Sequence, residues 1–401
     1  MAKGSAAIGG EHPALSPSAP PQQGRAGGRP GGLAPWGAGG GGAMKDPLAL
    51  FNGSYLSHRP TGIGVVARDL VAAIDPELVP LLDPLGGERP SSLPIPANLS
   101  PEHGRKGHLA RLLWTQNQLP GLVKASGAPL LLSPLPEAPL LRGVRSVVLA
   151  HDLLPLRYPQ ASPLLAYHLA YVPLVLHRAV RVLCNSEATA REVHGRLGVP
   201  LRRLVPLRLG FDPGRLRPLH LEREPFFLVL GRHDPHKNLM GVLRAFAALP
   251  DPARELRLKL VGPHDERYTP RLQSLAQDLG IGARCDWLAW VSDAERLALL
   301  NRCRALVMVS FWEGFGLPAL EAMACEAPVI AARAGALPEV VGNAALLVDP
   351  HRPTEIAAAM HQLNREGDLA RSLGQAGADR AGHFRWDRTA EEVLSVLKEV
   401  A

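Results

Sequence analysis

Two carboxylates, Glu313 and Glu321, bracket the run Gly314–Phe315–Gly316–Leu317–Pro318. The residues before it, Ala305–Leu306–Val307–Met308–Val309–Ser310, read as a buried strand of a parallel sheet. Those from Pro318 to Met323 read as a helix start, with proline in the first turn, where its missing N–H does no harm. A strand, a tight glycine turn and a helix N-terminus together gather free backbone N–H groups of positive character, and anions bind there. Glu313 ends the strand and Glu321 lies about a turn into the helix, so both can face hydroxyl groups attached to that anion. The chemistry is that of a sugar nucleotide.

Three further constellations fit the same substrate. Gly231–Arg232 and Lys237–Asn238 follow the strand-like run Phe226–Leu230. Arg in bidentate mode and Lys as a compact charge can clamp a diphosphate. Gly62–Ile63–Gly64 precedes a helical pattern, where glycine allows backbone to approach a diphosphate closely. His151–Asp152 ends the strand-like run Ser146–Ala150 and faces a cleft. Asn185–Ser186 ends the next one, where Ser186 reads as a helix N-cap. No Asp-x-Asp pair stands in a loop placed to hold a divalent cation, so no metal requirement is expected. His233 and His236 lack further ligands nearby.

Short apolar runs alternating with amphipathic stretches position these residues, the mark of βαβ units and parallel sheets. Leu48–Phe51, Pro129–Leu132, Ser146–Ala150, Val182–Asn185 and Val205–Leu209 are the strands predicted in the first half, with helices over Gly64–Ile74, Leu164–Val180 and Ser186–Leu197. Phe226–Leu230, Arg257–Val261, Cys285–Leu288, Ala305–Val309, Pro328–Ala331 and Ala345–Val348 are those of the second. Helices are expected there over Asn238–Ala248, Arg271–Leu279, Asp293–Leu300, Leu317–Ala324, Leu337–Val341, Thr354–Arg365 and Trp386–Val400. The expected division is a disordered Gly/Pro-rich tail over 1–43, an acceptor-binding domain over 44–212 and a linker over 213–224. A nucleotide-sugar domain over 225–380 and a C-terminal segment over 381–401 complete it. Met44, after a run of glycines, is a candidate translation start.

The net charge of +7 is uneven. Residues 44–212 carry +6 and residues 213–401 carry −1, so the first half is the one suited to anionic lipid headgroups or a phosphorylated acceptor. No basic run with interleaved aromatics points to nucleic acid. Cys184, Cys285, Cys303 and Cys325 are scattered, without metal or disulfide spacing, which fits a reducing cytoplasm. No apolar run is long enough to span a bilayer. His103, Arg105, Lys106, His108 and Arg111 precede Leu112–Leu113–Trp114, which reads as a solvated loop and helix start or as a peripheral membrane contact.

The run Glu313-Gly-Phe-Gly-Leu-Pro, with Leu320–Glu321–Ala322–Met323–Ala324, Ala327–Pro328–Val329–Ile330, Gly335 and Leu337–Pro338–Glu339, resembles the retaining GT-B glycosyltransferases of family four. The resemblance covers essentially all of 225–350 and, more weakly, 47–212. It implies an α/β fold of two Rossmann-like parallel-sheet domains facing a central cleft. It assigns Glu313 to donor-sugar hydroxyls, Glu321 to the nucleotide ribose, and the amides of Gly314, Phe315, Gly316 and Leu317 to sugar and diphosphate. It sets Gly62 and Gly64 at the donor, although Val65–Val66 stands where the family often has Arg-Tyr. His151 falls beside the donor sugar. Arg232 and Lys237 would neutralise the departing diphosphate in place of a metal. The helix from Trp386 resembles one that returns to brace the first domain.

The implied activity is metal-independent, retaining transfer of a sugar from a nucleoside diphosphate sugar to a glycan or lipid-linked acceptor, without a cofactor. Gly-Ile-Gly near the start and His-Asp-x-x-Pro midway resemble bacterial mannosyltransferases of surface polysaccharide assembly, which makes GDP-mannose the leading donor. A non-catalytic nucleotide-sugar or polysaccharide-binding module, an epimerase and a phosphorylase of the same architecture are the alternatives.

Overall fold

The computed structural model describes residues 46–401 apart from 59, 61, 88, 142, 160–162 and 251–254, and at 163 and 164 the backbone alone. The expected tail over 1–43 and the start at Met44 lie outside the described residues. The first sheet contains β1 (Leu50–Asn52), β2 (Leu81–Asp83), β3 (Ser92–Pro94), β4 (Leu131–Ser133), β5 (Ser146–Ala150), β6 (Arg181–Cys184) and β7 (Leu204–Pro206). Its order is β3-β2-β1-β4-β5-β6-β7, and every adjacent pair is parallel. The second contains β8 (Phe226–Leu230), β9 (Arg257–Val261), β10 (Cys285–Leu288), β11 (Ala305–Met308), β12 (Val329–Ala332) and β13 (Leu346–Val348). Its order is β10-β9-β8-β11-β12-β13, again all parallel. This is the doubly wound, GT-B arrangement that the resemblance implied.

In each sheet the chain reverses its direction of winding beside the first strand, at β1/β4 and at β8/β11. Ligand crevices form at the carboxyl ends of strands at such points. The Gly62 loop follows β1, Arg232 and Lys237 follow β8, and the Glu313 turn follows β11.

Alternation along the strands divides the core. Phe226 and Leu228 of β8 join an apolar cluster that also holds Phe51, Val66 and Leu70 of the first half and Phe384 and Val393 near the C-terminus. Phe227 and Val229 face the other way, onto a cluster with Val307, Ile330 and Phe246.

Three expectations need correction. The expected helix over Leu164–Val180 is interrupted by a π turn at Tyr167–Tyr171 and ends at Arg178. Strands β2 and β3, and the helices Gly104–Asn117, Leu119–Ser126 and Gly367–Ala381, were not among the expected elements. Arg111 does not belong to a basic surface patch. It is buried, and its guanidinium grips the equally buried Glu137 at 2.7 and 3.0 Å, while Arg105 and Lys106 stay exposed.

The segment over 213–224 is irregular but fastened along the second half. Leu219 N–H donates to Asn301 Oδ1 at 2.6 Å, and Arg223 donates to the carbonyl oxygens of Cys303 and Glu326 at 2.8 and 2.5 Å. The chain crosses back at the start of the Trp386–Val400 helix. There Phe211 pairs with Arg385, and a Cβ on Gly210 would lie 2.2 Å from Trp386 N, a closeness only glycine permits. That last helix buries Ala390, Val393, Leu397 and Val400 and packs on the helix Gly62–Ala73 of the first half. Arg145 caps its end by donating to the carbonyl oxygens of Val400 and Ala401, at 2.5 and 3.1 Å.

Candidate active site

Lys237 and Glu313 come from different βα junctions, and they meet. Lys237 Nζ lies 2.7 Å from Glu313 Oε1, with Glu313 buried and Lys237 nearly so. Two backbone bonds hold the junctions in register: Phe311 N–H donates to His236 O at 2.8 Å, and Ala336 N–H to Glu313 O at 3.0 Å. Gly335, at φ +58°, lies so close that a Cβ would sit 2.5 Å from Glu313 O. The loop after β12 therefore presses directly on the backbone of the carboxylate.

Beyond Glu313 the chain turns at Gly316, whose φ of +106° favours glycine, and enters the helix Leu317–Ala324 with Pro318 in its first turn. Among the described residues no protein acceptor takes the N–H of Gly314, Phe315, Gly316 or Leu317. Four adjacent donors and a nearby ammonium make this turn receptive to an anion.

Glu321 is buried, and Arg296 donates from one terminal nitrogen to both its oxygens at 3.1 and 3.2 Å. Burial raises its pKa, against the pull of Arg296. Arg296 was not anticipated as its partner, because nothing in the sequence joins a helix starting at Asp293 to this turn. If Glu321 holds the ribose of the donor, Glu321→Ala weakens free nucleoside diphosphate about tenfold while leaving the fold intact, the loss of one charge-assisted contact. Unchanged affinity by calorimetry would remove Glu321 from the donor site.

Arg232 pairs with Asp234 at 2.9 Å, its side chain is 67% exposed, and its charge acts on His236 together with those of Lys237 and Glu313. Gly62 opens the helix Gly62–Ala73, with φ +27° and open space where a Cβ would go. Gly64 packs against Pro60.

His151 is buried, with Nε2 2.8 Å from Pro134 O. Nε2–H is therefore the donor, which leaves Nδ1 as the acceptor of a neutral ring. Burial lowers its pKa to about 4, so it carries no charge at ordinary pH. Next to it, burial and then the neighbouring carboxylates of Glu313 and Glu192 push Asp152 up to about 6, against a bond from Leu154 N–H. His233 and His236 do not converge on a metal. His233 Nδ1 lies 2.7 Å from Thr269 Oγ1 and His236 stacks on Tyr158. Among the described residues no group of His, Cys, Asp and Glu is placed to hold an ion.

The two halves touch at this site. Thr189 Oγ1 sits 3.3 Å from His151 O and 3.2 Å from Gly314 O. Ser186 caps the helix Glu187–Leu197, accepting from Thr189 N–H at 2.9 Å. Glu339, from the second half, completes the same helix start by accepting from Glu187 N–H and Ala188 N–H at 3.2 and 3.1 Å. This inter-half cap is a contact the sequence did not disclose, since only the tertiary fold brings the Leu337–Val341 helix to that terminus.

Comparison with known proteins decides the family. A profile described as glycosyl transferases group 1 matches residues 215–380, and one described as Glycosyltransferase Family 4 matches 64–215. The chain belongs to glycosyltransferase family four. Among the relatives of this glycosyltransferase, the O-antigen chain mannosyltransferase B of Escherichia coli is 29% identical over 63% of this chain and 70% of its own. The D-inositol 3-phosphate glycosyltransferase of Streptomyces bingchenggensis is 28% identical over 89% and 78% respectively. The crystal structure of Anabaena Alr3699/HepE in complex with UDP and glucose superimposes with a TM-score of 0.67 at 18% identity. It covers 88% of this chain and 99% of that one, a likeness of fold.

Proposed function

We propose that this glycosyltransferase moves a sugar, mannose in the leading assignment, from a nucleoside diphosphate sugar to a hydroxyl of a glycan or lipid-linked acceptor. Transfer retains the anomeric configuration and needs no divalent cation. The observation that carries this reading is the 2.7 Å contact between Lys237 Nζ and Glu313 Oε1 beside four unpartnered amides. The amides and the ammonium meet the diphosphate where its charge builds up, and this electrostatic support replaces a metal. The mannosyltransferase among the relatives supports the choice of sugar.

A double displacement needs a free carboxylate against the far face of the sugar. Glu313 is held by Lys237, which makes it a poor nucleophile and a good anchor for sugar hydroxyls. The C1–O bond to phosphate then breaks as the C1–O bond to the acceptor forms on the same face, and the acceptor's proton passes to the departing phosphate oxygen. Closure of the two halves would keep water from the donor. Thermal-shift screening of UDP, GDP and ADP sugars selects the donor, and NMR of the product reads its anomeric configuration. Inverted product ends this reading. Activity is expected to survive EDTA; its loss under chelation would reveal a metal-dependent reaction.

The acceptor side carries a membrane-contact reading. On the Gly104–Asn117 helix, Leu109 and Leu113 are more than half exposed next to Arg105 and Lys106. Leu141 and Leu169 are exposed likewise. Exposed leucines with flanking cations suit an anionic bilayer surface. No helix among the described residues is long and apolar enough to cross a membrane. Replacing Leu109 and Leu113 together by Gln is expected to lower co-sedimentation with phosphatidylglycerol vesicles severalfold. Equal sedimentation of the variant would rule this surface out.

A further inference from the structure

A cavity of about 450 Å³ opens between the Glu187–Leu197 helix of the first half and the Trp312–Gly335 region of the second. Its walls carry three guanidiniums, those of Arg157, Arg191 and Arg196, and a single carboxylate, that of Glu192. Arg157 and Arg196 share one oxygen of it: Arg157 Nε and Arg196 Nε lie 2.9 and 3.0 Å from Glu192 Oε1. Arg157 also stacks on the Trp312 ring at 3.7 Å, which fixes its plane. Among the described residues Arg191 pairs only with Glu187, at 3.1 Å, on the exposed side of the helix. One buried carboxylate cannot neutralise two guanidiniums. The remaining terminal N–H groups of Arg157 and Arg196 have no protein acceptor among the described residues.

We infer that this cavity binds an oxyanion carried by the acceptor, a phosphate or a carboxylate, and so selects charged acceptors over neutral ones. Planar guanidiniums with unused forked donors are the groups that bind such oxyanions bidentately. The location fits an acceptor rather than a donor. Trp312 immediately precedes Glu313 in the chain, and Gly335 of the cavity wall lies against the Glu313 backbone, so the cavity adjoins the reacting centre. Most of its lining, Arg157, Ala188, Arg191, Glu192, Gly195 and Arg196, belongs to the first half. Its walls come from both halves, and Ala188, which lines it, is the residue whose N–H Glu339 holds. The subsite is therefore complete only while the halves are together.

The inference rests on the glycosyl-transfer reading, and the test separates the two. Full-length protein is saturated with whichever nucleoside diphosphate binds, so that the donor's phosphate site is filled. Mannose 6-phosphate, mannose and inorganic phosphate are then titrated by calorimetry. Failure of every nucleotide to bind counts against the proposed function, not against the cavity. The wild type is expected to bind mannose 6-phosphate about tenfold or more tighter than mannose, and Arg191→Ala/Arg196→Ala to erase that difference by removing charge-assisted contacts. Nucleotide affinity in that variant reports that it is folded, and Arg196→Lys should restore part of the preference. Phosphate binding without the sugar-linked preference means a free-anion site and overturns the inference. So does a preference that survives Arg191→Ala/Arg196→Ala, or binding that vanishes once the nucleotide site is filled.

Discussion

Lys237→Ala lowers the turnover of sugar transfer by about 100-fold or more, the usual cost of removing one preorganised donor from a site where charge develops. The size of the effect follows from the environment. Lys237 is mostly buried, and among the described residues its only charged contact at hydrogen-bond distance is Glu313. Removing it strips a cation from beside the Gly314–Leu317 turn and leaves the Glu313 carboxylate buried without its counterion. Both changes act most strongly in the transition state, when the diphosphate gains negative charge, so turnover should fall more than donor affinity. Lys237→Arg is the control. It keeps the charge but cannot reach Glu313 with the same geometry, and an intermediate loss is expected. Steady-state rates with a saturating donor read the outcome, and a Lys237→Ala enzyme as fast as wild type would remove this residue from catalysis.

Gly314→Ala has an expected effect of the same order through a different cause. A Cβ at this position would lie 2.0 Å from His151 O and 3.0 Å from the Cβ of Asp152, both in the opposite half. Neither can give way cheaply, because one is backbone and the other sits at the start of the Leu154–Arg157 helix. The halves must part by about 1 Å, and misplacement of that size costs roughly 100-fold in rate. Stability should fall only by the roughly 1–3 kcal/mol typical of overpacking. Nucleotide affinity should survive, because the amides of the turn stay within the second half. Loss of transfer with retained nucleotide binding is the signature to seek. Wild-type transfer by Gly314→Ala would show that this approach of the halves is not needed for the reaction.

Legibility in the sequence followed local signal strength. Phe226–Leu230 and Arg257–Val261 match the structure residue for residue, the first because it is wholly apolar and almost wholly buried, the second because Leu258 and Leu260 alternate with the polar Arg257 and Lys259. Strands β2 and β3 escaped because each is three residues long, and prolines at 80, 84, 90, 94 and 96 surround them, a composition that reads as loop. The Gly104–Asn117 helix escaped because its buried face includes Gly107, Arg111 and Thr115, which break any apolar stripe. The carboxylate pair and the glycine turn between them stood out because their spacing is local. Arg296 on Glu321, Glu192 between two arginines and Glu339 on a helix start did not, because each contact joins segments far apart in the chain. No periodicity encodes such meetings. The pairing of Arg232 with Asp234 is, by contrast, local, two residues apart in the chain.

The contact of Gly210 with the backbone of Trp386 ties two crossings of the chain to each other. The chain passes between the halves twice, and the two passages touch there. Any change in the angle between the halves has to bend both passages together at that spot. A side chain in place of Gly210 would force them apart, so its influence would reach the distant catalytic turn by altering how the halves meet.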